Sequence, residues 1–154
     1  MPIDPAIDDG PQEQTRHVGI EDIASKMRKL DICSFTTVTD NGGLATRPMS
    51  NNGDVAYDGN SWFFTSDDTR LVADIDGNPA VSLAFEGMDG LYIAVTGRAE
   101  LIRDKAQFEA HWVPDLDAWF DNGADTPGLV LIQVAAERVK YWRGEESGEW
   151  RAAR

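Results

Sequence analysis

The sequence predicts a mainly β protein, an antiparallel β-barrel with short helices around it. Six or seven short β-rich segments follow one another along 154 residues. They lack the regular alternation of strand and helix that is typical of parallel sheets. The length suits one domain, at roughly 100–200 residues per domain. Hydrophobic residues at 42% and charged residues at 27% are typical of a globular chain.

The N-terminal part divides into a tail, a helix and a hairpin. Residues 1–16 hold three prolines, four acids and few apolar side chains, so we expect a mobile tail before a single domain over 17–154. Apolar residues then recur at helical spacing from Val18 to Leu30. Two β-rich segments, Ile32–Val38 and Leu44–Ser50, flank Asp40-Asn41-Gly42-Gly43, which predicts a hairpin turn. The proline at position 48 indicates an edge strand or a bulge.

The remaining elements alternate short strands with brief helical stretches. After a glycine-rich turn (Gly53–Asn60), a strand over Trp62–Thr65 precedes a short helix. We expect Ser66 or Asp67 to cap this helix and Gly77-Asn78-Pro79 to end it. The apolar residues of this helix are Leu71, Val72 and Ile75. The predicted elements after it are, in order, strands Ala80–Phe85 and Leu91–Ile102, helical stretches Asp104–Trp112 and Leu116–Phe120, a long strand Gly128–Trp142 and a last strand at Trp150.

Charge and composition exclude several classes of function. The net charge is −13, and no basic run is longer than Arg28-Lys29, so nucleic acid is not an expected partner. No apolar run is long enough to span a membrane, and the N-terminus lacks the pattern of a secretory signal. The two histidines lie far apart, and one cysteine, Cys33, sits in an apolar strand. We therefore expect a cytoplasmic protein without a metal site or a reactive thiol.

Two stretches carry polar groups suited to a phosphorylated ligand. Arg47 lies inside a strand pair, directly before a proline. Thr65 and Ser66 end a strand, and Thr69 and Arg70 follow at the start of a helix. Hydroxyls, a guanidinium and the backbone N–H groups of a helix N-terminus together favour phosphate binding. The structural alternatives are an ordinary strand arginine and simple helix-capping hydroxyls.

A third stretch is aromatic. Trp112 and Trp119 flank the segment between two predicted elements, and Trp142 closes the long strand. Tryptophans near a surface loop can form a flat apolar wall for an aromatic ligand. The alternative is that they belong to the core or to a dimer contact.

In this order the motifs resemble the pyridoxamine 5′-phosphate oxidase-like split-barrel flavoproteins, specifically the bacterial general stress protein branch. The resemblance spans roughly Ile20–Trp150. It rests on Thr46-Arg47-Pro48-Met49, Trp62-Phe63-Phe64-Thr65-Ser66, the segment Asp76–Leu83, and Trp112-Val113-Pro114 with Trp119-Phe120, Pro127 and Tyr141-Trp142.

The resemblance implies a six-stranded split β-barrel that forms a homodimer and binds FMN in two clefts at the subunit interface. It assigns flavin and ribityl contacts to Arg47, Pro48 and Met49, the ribityl-phosphate end to Thr65 and Ser66, the phosphate to Thr69 and Arg70, and flavin-side walls to Trp112 and Trp142.

One position departs from the family pattern. A lysine usually follows the position of Arg70, whereas this chain has Leu71. A Leu71→Lys substitution is therefore expected to tighten FMN binding, unless Leu71 packs on the barrel and the lysine costs stability instead.

The resemblance implies an FMN-dependent oxidoreductase-like protein of unknown substrate. The flavin itself performs hydride or electron chemistry, and no residue in these motifs stands out as catalytic. Pyridoxamine phosphate is not the expected substrate, because Arg143 is the one arginine beside Tyr141-Trp142. The alternatives are a flavin-storing stress protein without turnover and, favoured by Leu71, a split barrel that has lost its cofactor and serves as an interaction module.

Overall fold

The computed structural model describes residues 15–51 and 56–153, and this part of the chain is mainly β. It contains seven strands and three α-helices: α1 (Ile20–Met27), β1 (Ile32–Val38), β2 (Leu44–Ser50), β3 (Asn60–Ser66), α2 (Arg70–Gly77), β4 (Ala80–Glu86), β5 (Leu91–Ile102), α3 (Lys105–His111), β6 (Leu129–Arg143) and β7 (Glu146–Arg151). Two short 3-10 helices, Pro114–Ala118 and Gly123–Asp125, connect α3 to β6.

The strands form one antiparallel sheet that is split rather than closed. Six of them follow the order β2-β1-β4-β5-β6-β3, and β7 pairs with β6 beside this path. Strand β6 changes partner along its length, since Leu129–Ala135 pairs with β3 and Arg138–Arg143 pairs with β7. The predicted split barrel is confirmed, with six strands on the main path and a seventh added by the last hairpin.

A bulge lies between β5 and β6 where β6 changes partner. The register shifts between Thr96 and Gly97. A Cβ atom on Gly97 would lie 2.3 Å from the backbone oxygen of Ala135. Only glycine therefore lets the two backbones approach this closely, as is usual at a bulge.

The main core lies on one side of the sheet and includes residues of α1 and α2. Alternate residues of the strands are buried there, among them Phe35, Phe63, Leu83 and Val95. Helix α2 adds Leu71, Val72 and Ile75, the three residues that the helical spacing predicts. Each such side chain contributes about 1.5–3 kcal/mol when fully buried, so this face holds α2 firmly on the sheet.

The predicted order of elements is confirmed, with two local corrections. Helix α1 ends at Met27 rather than Leu30, because Lys29 takes a positive φ of 66° that a helix cannot continue. The cap of α2 is Thr69, not Ser66 or Asp67: its hydroxyl oxygen accepts a hydrogen bond from the Val72 N–H at 3.3 Å.

The edge position of Pro48 is confirmed, because β2 pairs with β1 alone among the described strands.

Most of the expected tail, residues 1–14, and the residues at 52–55 in the glycine-rich turn lie outside the described residues. Arg16, which is described, contacts the sheet: its carbonyl oxygen accepts a hydrogen bond from the Glu149 N–H at 2.8 Å. None of the described helices is long and apolar enough to cross a membrane.

A candidate ligand cleft between helix α2 and the first hairpin

A cleft of about 760 Å³ separates the turn of the β1–β2 hairpin from one side of α2. This volume falls within the roughly 300–1,000 Å³ of small-molecule sites. The hairpin side is fixed by two hydrogen bonds, from the Thr39 N–H to the Gly43 oxygen at 2.9 Å and from the Gly42 N–H to the Thr39 oxygen at 3.0 Å. Gly42 has a φ of +83°, which glycine adopts without strain. The turn is therefore a rigid wall.

The N-terminus of α2 forms the opposite wall. Thr69 and Arg70, both predicted to contact a phosphate, line the cleft. The Thr69 hydroxyl donates to the Ser66 carbonyl oxygen at 2.9 Å, which fixes the turn between β3 and the helix. Arg70 is exposed and, within the described part of the chain, forms no ion pair. An unpaired guanidinium and the first-turn N–H groups make this wall attractive to an anionic or polar ligand.

A buried carboxylate joins this helix to the hairpin strands. Asp74 is only 8% exposed; its Oδ2 accepts a hydrogen bond from the Thr37 hydroxyl at 2.7 Å and lies 3.5 Å from Arg47 Nη2. Arg47 Nη1 also donates to the Thr37 hydroxyl oxygen at 2.9 Å. A buried carboxylate needs such partners. We call Thr37, Arg47 and Asp74 the hairpin–helix triad.

The sequence pattern did not identify Asp74 or Thr37. A signal existed for the first: Asp74 lies between Leu71 and Ile75 on the apolar side of a short helix, where a carboxylate requires a buried partner. Asp74 lines the cleft, whereas Arg47 is not part of the lining and contacts Asp74 from β2. The structure thus brings Arg47, Thr69 and Arg70 together around α2.

Four other predicted residues lie outside the cleft lining. Thr65 and Ser66 are half-buried at the end of β3, opposite Val130 and Leu129 of β6. Pro48 is exposed on the edge strand, whereas Met49 is half-buried and packs against the main core. The two hydroxyl residues adjoin the α2 N-terminus through the chain itself.

The two predicted tryptophans are not brought to the cleft within one chain. Trp112 packs in a second apolar cluster, with its ring centroid 5.1 Å from that of Phe64, and its Nε1–H donates to Asp117 at 2.9 Å. Trp142 lies on β6 opposite Tyr92, and the ammonium of Lys140 is 5.2 Å from its ring centroid. Trp112 thus has a packing role of its own, whereas the Nε1–H of Trp142 is buried without a hydrogen-bond partner among the described residues.

Leu71 faces the barrel, not the cleft. It is 4% exposed and belongs to the main core. The expectation that Leu71→Lys tightens FMN binding is therefore replaced by its alternative, a loss of stability. A side chain at this position does not reach the cleft without disturbing the core.

The chemistry of the remaining reactive groups is limited. Burial raises the pKa of Cys33 to about 12, so its thiol stays protonated at neutral pH and packs as a small apolar group. Within the described ranges no group of three His, Cys, Asp or Glu side chains is placed to hold a metal ion. The cleft therefore has the size and the polar groups to bind a small molecule, but its lining offers no obvious nucleophile.

Fold and sequence together define the class of protein. The family model described as pyridoxamine 5′-phosphate oxidase like matches residues 19–152, and the chain belongs to this family. No curated protein sequence matches the chain significantly.

Solved structures agree with this assignment. A general stress FMN/FAD binding protein from Xanthomonas citri is 25% identical, with a TM-score of 0.69 over 82% of this chain and 89% of that one. General Stress Protein 26 from Bacillus anthracis is 20% identical, with a TM-score of 0.68 over 84% and 98%. A putative pyridoxamine 5′-phosphate oxidase from Listeria innocua is 19% identical, with a TM-score of 0.67 over 81% and 98%. The last two share the fold.

Proposed function

We propose that this chain is a flavin-binding stress protein of the oxidoreductase-like kind, which takes up FMN and acts on a small molecule not yet identified. The observation that carries the proposal is the convergence of Arg47, Thr69 and Arg70 around α2, beside a cleft of ligand size, in a chain of this family. A bound flavin supplies the hydride or electron chemistry, and the chain supplies position and electrostatics.

The proposed contacts follow the polarity of the ligand. Arg70 and the Thr69 backbone would hold the phosphate end, with Thr65 and Ser66 along the ribityl-phosphate end. Arg47, Pro48 and Met49 would line the ring and the ribityl chain from β2. Trp112 and Trp142 would contribute flavin-side walls from a second copy, since neither lines the cleft of its own chain.

We further propose that the protein is a homodimer in the cytoplasm. The face of the sheet opposite the main core carries small and hydroxyl side chains on neighbouring strands, namely Ser34, Thr36, Thr46, Ser82, Ala84 and Thr96. Two large apolar residues are exposed as well, Ile32 at 59% and Leu44 at 75%. Such a surface suits close approach of a second sheet, with a buried area above about 2,000 Å². Sedimentation showing a stable monomer at micromolar concentration contradicts this proposal.

Flavin titration tests the binding proposal directly. FMN added to the purified chain is expected to lose fluorescence through stacking on tryptophan. Arg70→Ala removes a charge-assisted contact worth roughly 1.5–3 kcal/mol, so FMN affinity should fall about ten- to hundredfold. Riboflavin, which lacks the phosphate, should be almost unaffected. Arg28→Ala, which removes an exposed arginine beyond the end of α1, is the matched control and should leave both ligands unchanged.

Turnover separates an enzyme from a flavin store. Reduction of the bound flavin by NAD(P)H, followed by reoxidation with a candidate substrate, supports the oxidoreductase. Tight binding without reduction supports storage.

A second candidate is the cofactor-free interaction module. It is favoured by Leu71, a buried leucine at the position where the family pattern has a lysine. It is supported if neither FMN nor riboflavin binds.

A further inference from the structure

The charges that line the cleft do not match a doubly charged phosphate. The lining holds three carboxylates, those of Asp40, Asp68 and Asp74, and one guanidinium, that of Arg70. The relative affinity of the cleft for a flavin with and without its terminal phosphate depends on which of these charges are already paired.

The second cation near the cleft is compensated. Arg47 lies 3.5 Å from the buried carboxylate of Asp74 and donates to the Thr37 hydroxyl. Only 22% of its side chain is exposed. The pair is close to neutral as a unit, because the two opposite charges share one buried position. Leu71 removes the remaining source of positive charge, since the family lysine is replaced by a core residue that is 4% exposed.

Two carboxylates of the lining are not compensated. Asp40 lies in the hairpin turn and Asp68 immediately precedes the cap residue Thr69; both are exposed. Within residues 15–51 and 56–153, neither forms an ion pair or a hydrogen bond through its carboxylate. Their neighbour Asp67 differs, because it pairs with Arg103 at 2.6 Å. The local balance is therefore one free guanidinium against two free carboxylates.

The N-terminus of α2 offsets part of this negative charge. Backbone N–H groups at a helix start carry a partial positive charge of roughly half an elementary unit. Together with Arg70 this gives about one and a half positive charges against the two carboxylates. A phosphate entering the cleft meets a field close to zero or slightly negative, which water and salt screen further.

We infer that this cleft gains little affinity for a flavin from the terminal phosphate, because Asp68 and Asp40 offset the attraction that Arg70 and the N-terminus of α2 exert on it. The inference rests on the proposed flavin function. It gives Arg70 and Asp68 opposite effects on FMN, because one attracts and the other repels the phosphate.

Parallel titrations of riboflavin and FMN on the full chain test the inference. Wild-type affinities for the two should lie within about tenfold of each other, because repulsion by Asp40 and Asp68 offsets most of the attraction between Arg70 and the phosphate. Asp68→Asn and Asp40→Asn should each tighten FMN about three- to fivefold and leave riboflavin unchanged. Glu100→Gln, which removes an exposed carboxylate on β5 outside the cleft lining, should change neither.

The outcomes separate the inference from the proposed function. FMN more than about a hundredfold tighter than riboflavin, or no change in FMN affinity in either asparagine variant, overturns the inference and leaves the flavin function standing. Absence of binding of both flavins overturns the proposed function and this inference with it. Thermal unfolding of each variant, expected to match that of the wild type, shows that affinities are compared between equally folded proteins.

Discussion

Two polar clusters fasten helices to the sheet, and they differ in how much water reaches them. The hairpin–helix triad links α2 to β1 and β2 through a carboxylate that is 7% exposed. The second cluster links α1 to the β6–β7 hairpin: Lys26 donates to Asp22 at 2.8 Å, and the Tyr141 hydroxyl donates to Glu146 at 3.1 Å. Arg16 also donates to Tyr141. We call these five residues the α1 cluster.

The difference shows what burial does to a charged contact. In the triad each group has few alternatives to its partner, so losing one leaves a buried charge unmatched. In the α1 cluster the Asp22 and Glu146 side chains are 36% and 49% exposed, so water and salt replace lost partners at small cost. Of the two clusters, only the triad adjoins the cleft. A substitution in the triad is therefore expected to affect both the stability of the protein and the shape of the cleft.

The largest effect is expected beneath the triad, at Leu71. Leu71→Lys places a charge in the main core, next to α2 residues that are almost fully buried, and should cost about 3–5 kcal/mol of unfolding free energy. Urea denaturation measures this. Leu71→Met keeps the volume and should cost less than about 1.5 kcal/mol. Unchanged stability together with tighter FMN binding would mean that the lysine reaches the cleft.

Breaking the triad itself should rank second. Asp74→Ala leaves Arg47 and Thr37 without their shared acceptor, so we expect a loss of about 1.5–3 kcal/mol, the range for hydrogen bonds to charged groups. The loss should change little with added salt, because the pair is shielded from it. Asp76→Ala, on the exposed side of the same helix, is the control. Equal effects of the two substitutions would show that the triad contributes nothing specific.

A smaller effect is expected in the α1 cluster from Tyr141→Phe. The Tyr141 ring is fully buried, and the substitution keeps it while removing a hydroxyl bonded to Glu146. The hydroxyl also accepts from Arg16 and lies 3.4 Å from Asp22, but because these contacts are partly exposed, their loss should cost only about 1 kcal/mol in chemical denaturation. Tyr141→Leu removes the ring as well as the hydroxyl and should cost clearly more, so comparison with Tyr141→Phe separates the two contributions to stability. A loss as large as that in Asp74→Ala would remove the contrast between the two clusters.

The smallest effect should depend on pH. The hydrogen bond from Lys26 is the largest cause that lowers the pKa of Asp22 below its usual value. Burial, the second-largest cause, opposes it, and charge attraction to Lys26 and Arg16 lowers the pKa further. A lowered pKa in the folded state stabilises the protein above the unfolded value of about 3.9, and this contribution disappears as the pH falls through the folded pKa. Asp22→Asn should therefore cost less than about 1 kcal/mol at pH 7.

Thermal unfolding from pH 7 to pH 3 checks this assignment. The difference between wild type and Asp22→Asn should shrink below roughly pH 4. If the difference in stability between wild type and Asp22→Asn grew on acidification, the pKa of Asp22 would not be lowered in the folded protein.

The sequence predicts those parts of the fold and site that depend on neighbours along the chain. The hairpin turn, the buried side of α2 and the placement of Thr69 and Arg70 at its start follow from local spacing and turn chemistry. The sequence predicts the cap two or three residues too early because Ser66, Asp67 and Thr69 are all good capping residues, and only the backbone geometry decides between them.

The triad and the tryptophans depend on contacts that spacing does not encode. Thr37, Arg47 and Asp74 come from three elements and meet only through the register of β1 with β2 and the position of α2. Trp112 and Trp142 do not line the cleft of their own chain. Trp112 contacts Phe64, and Trp142 lies beside the ammonium of Lys140. Leu71 illustrates the same limit: the family pattern supplies the expected residue type, and the packing decides where its side chain points.

The change of partner along β6 has a consequence for the order in which the molecule assembles. Strands β5, β6 and β7 are consecutive neighbours, and β6 meets β7 across a turn that joins Arg143 to Glu146. Strand β3 reaches β6 only by closing the chain from Ser66 to Leu129, which costs more entropy and slows pairing. We expect β3, and with it the cleft wall that follows directly at Thr69, to settle after the β5–β7 meander. In folding kinetics, Val139→Ala should then slow refolding, whereas Phe63→Leu should mainly speed unfolding.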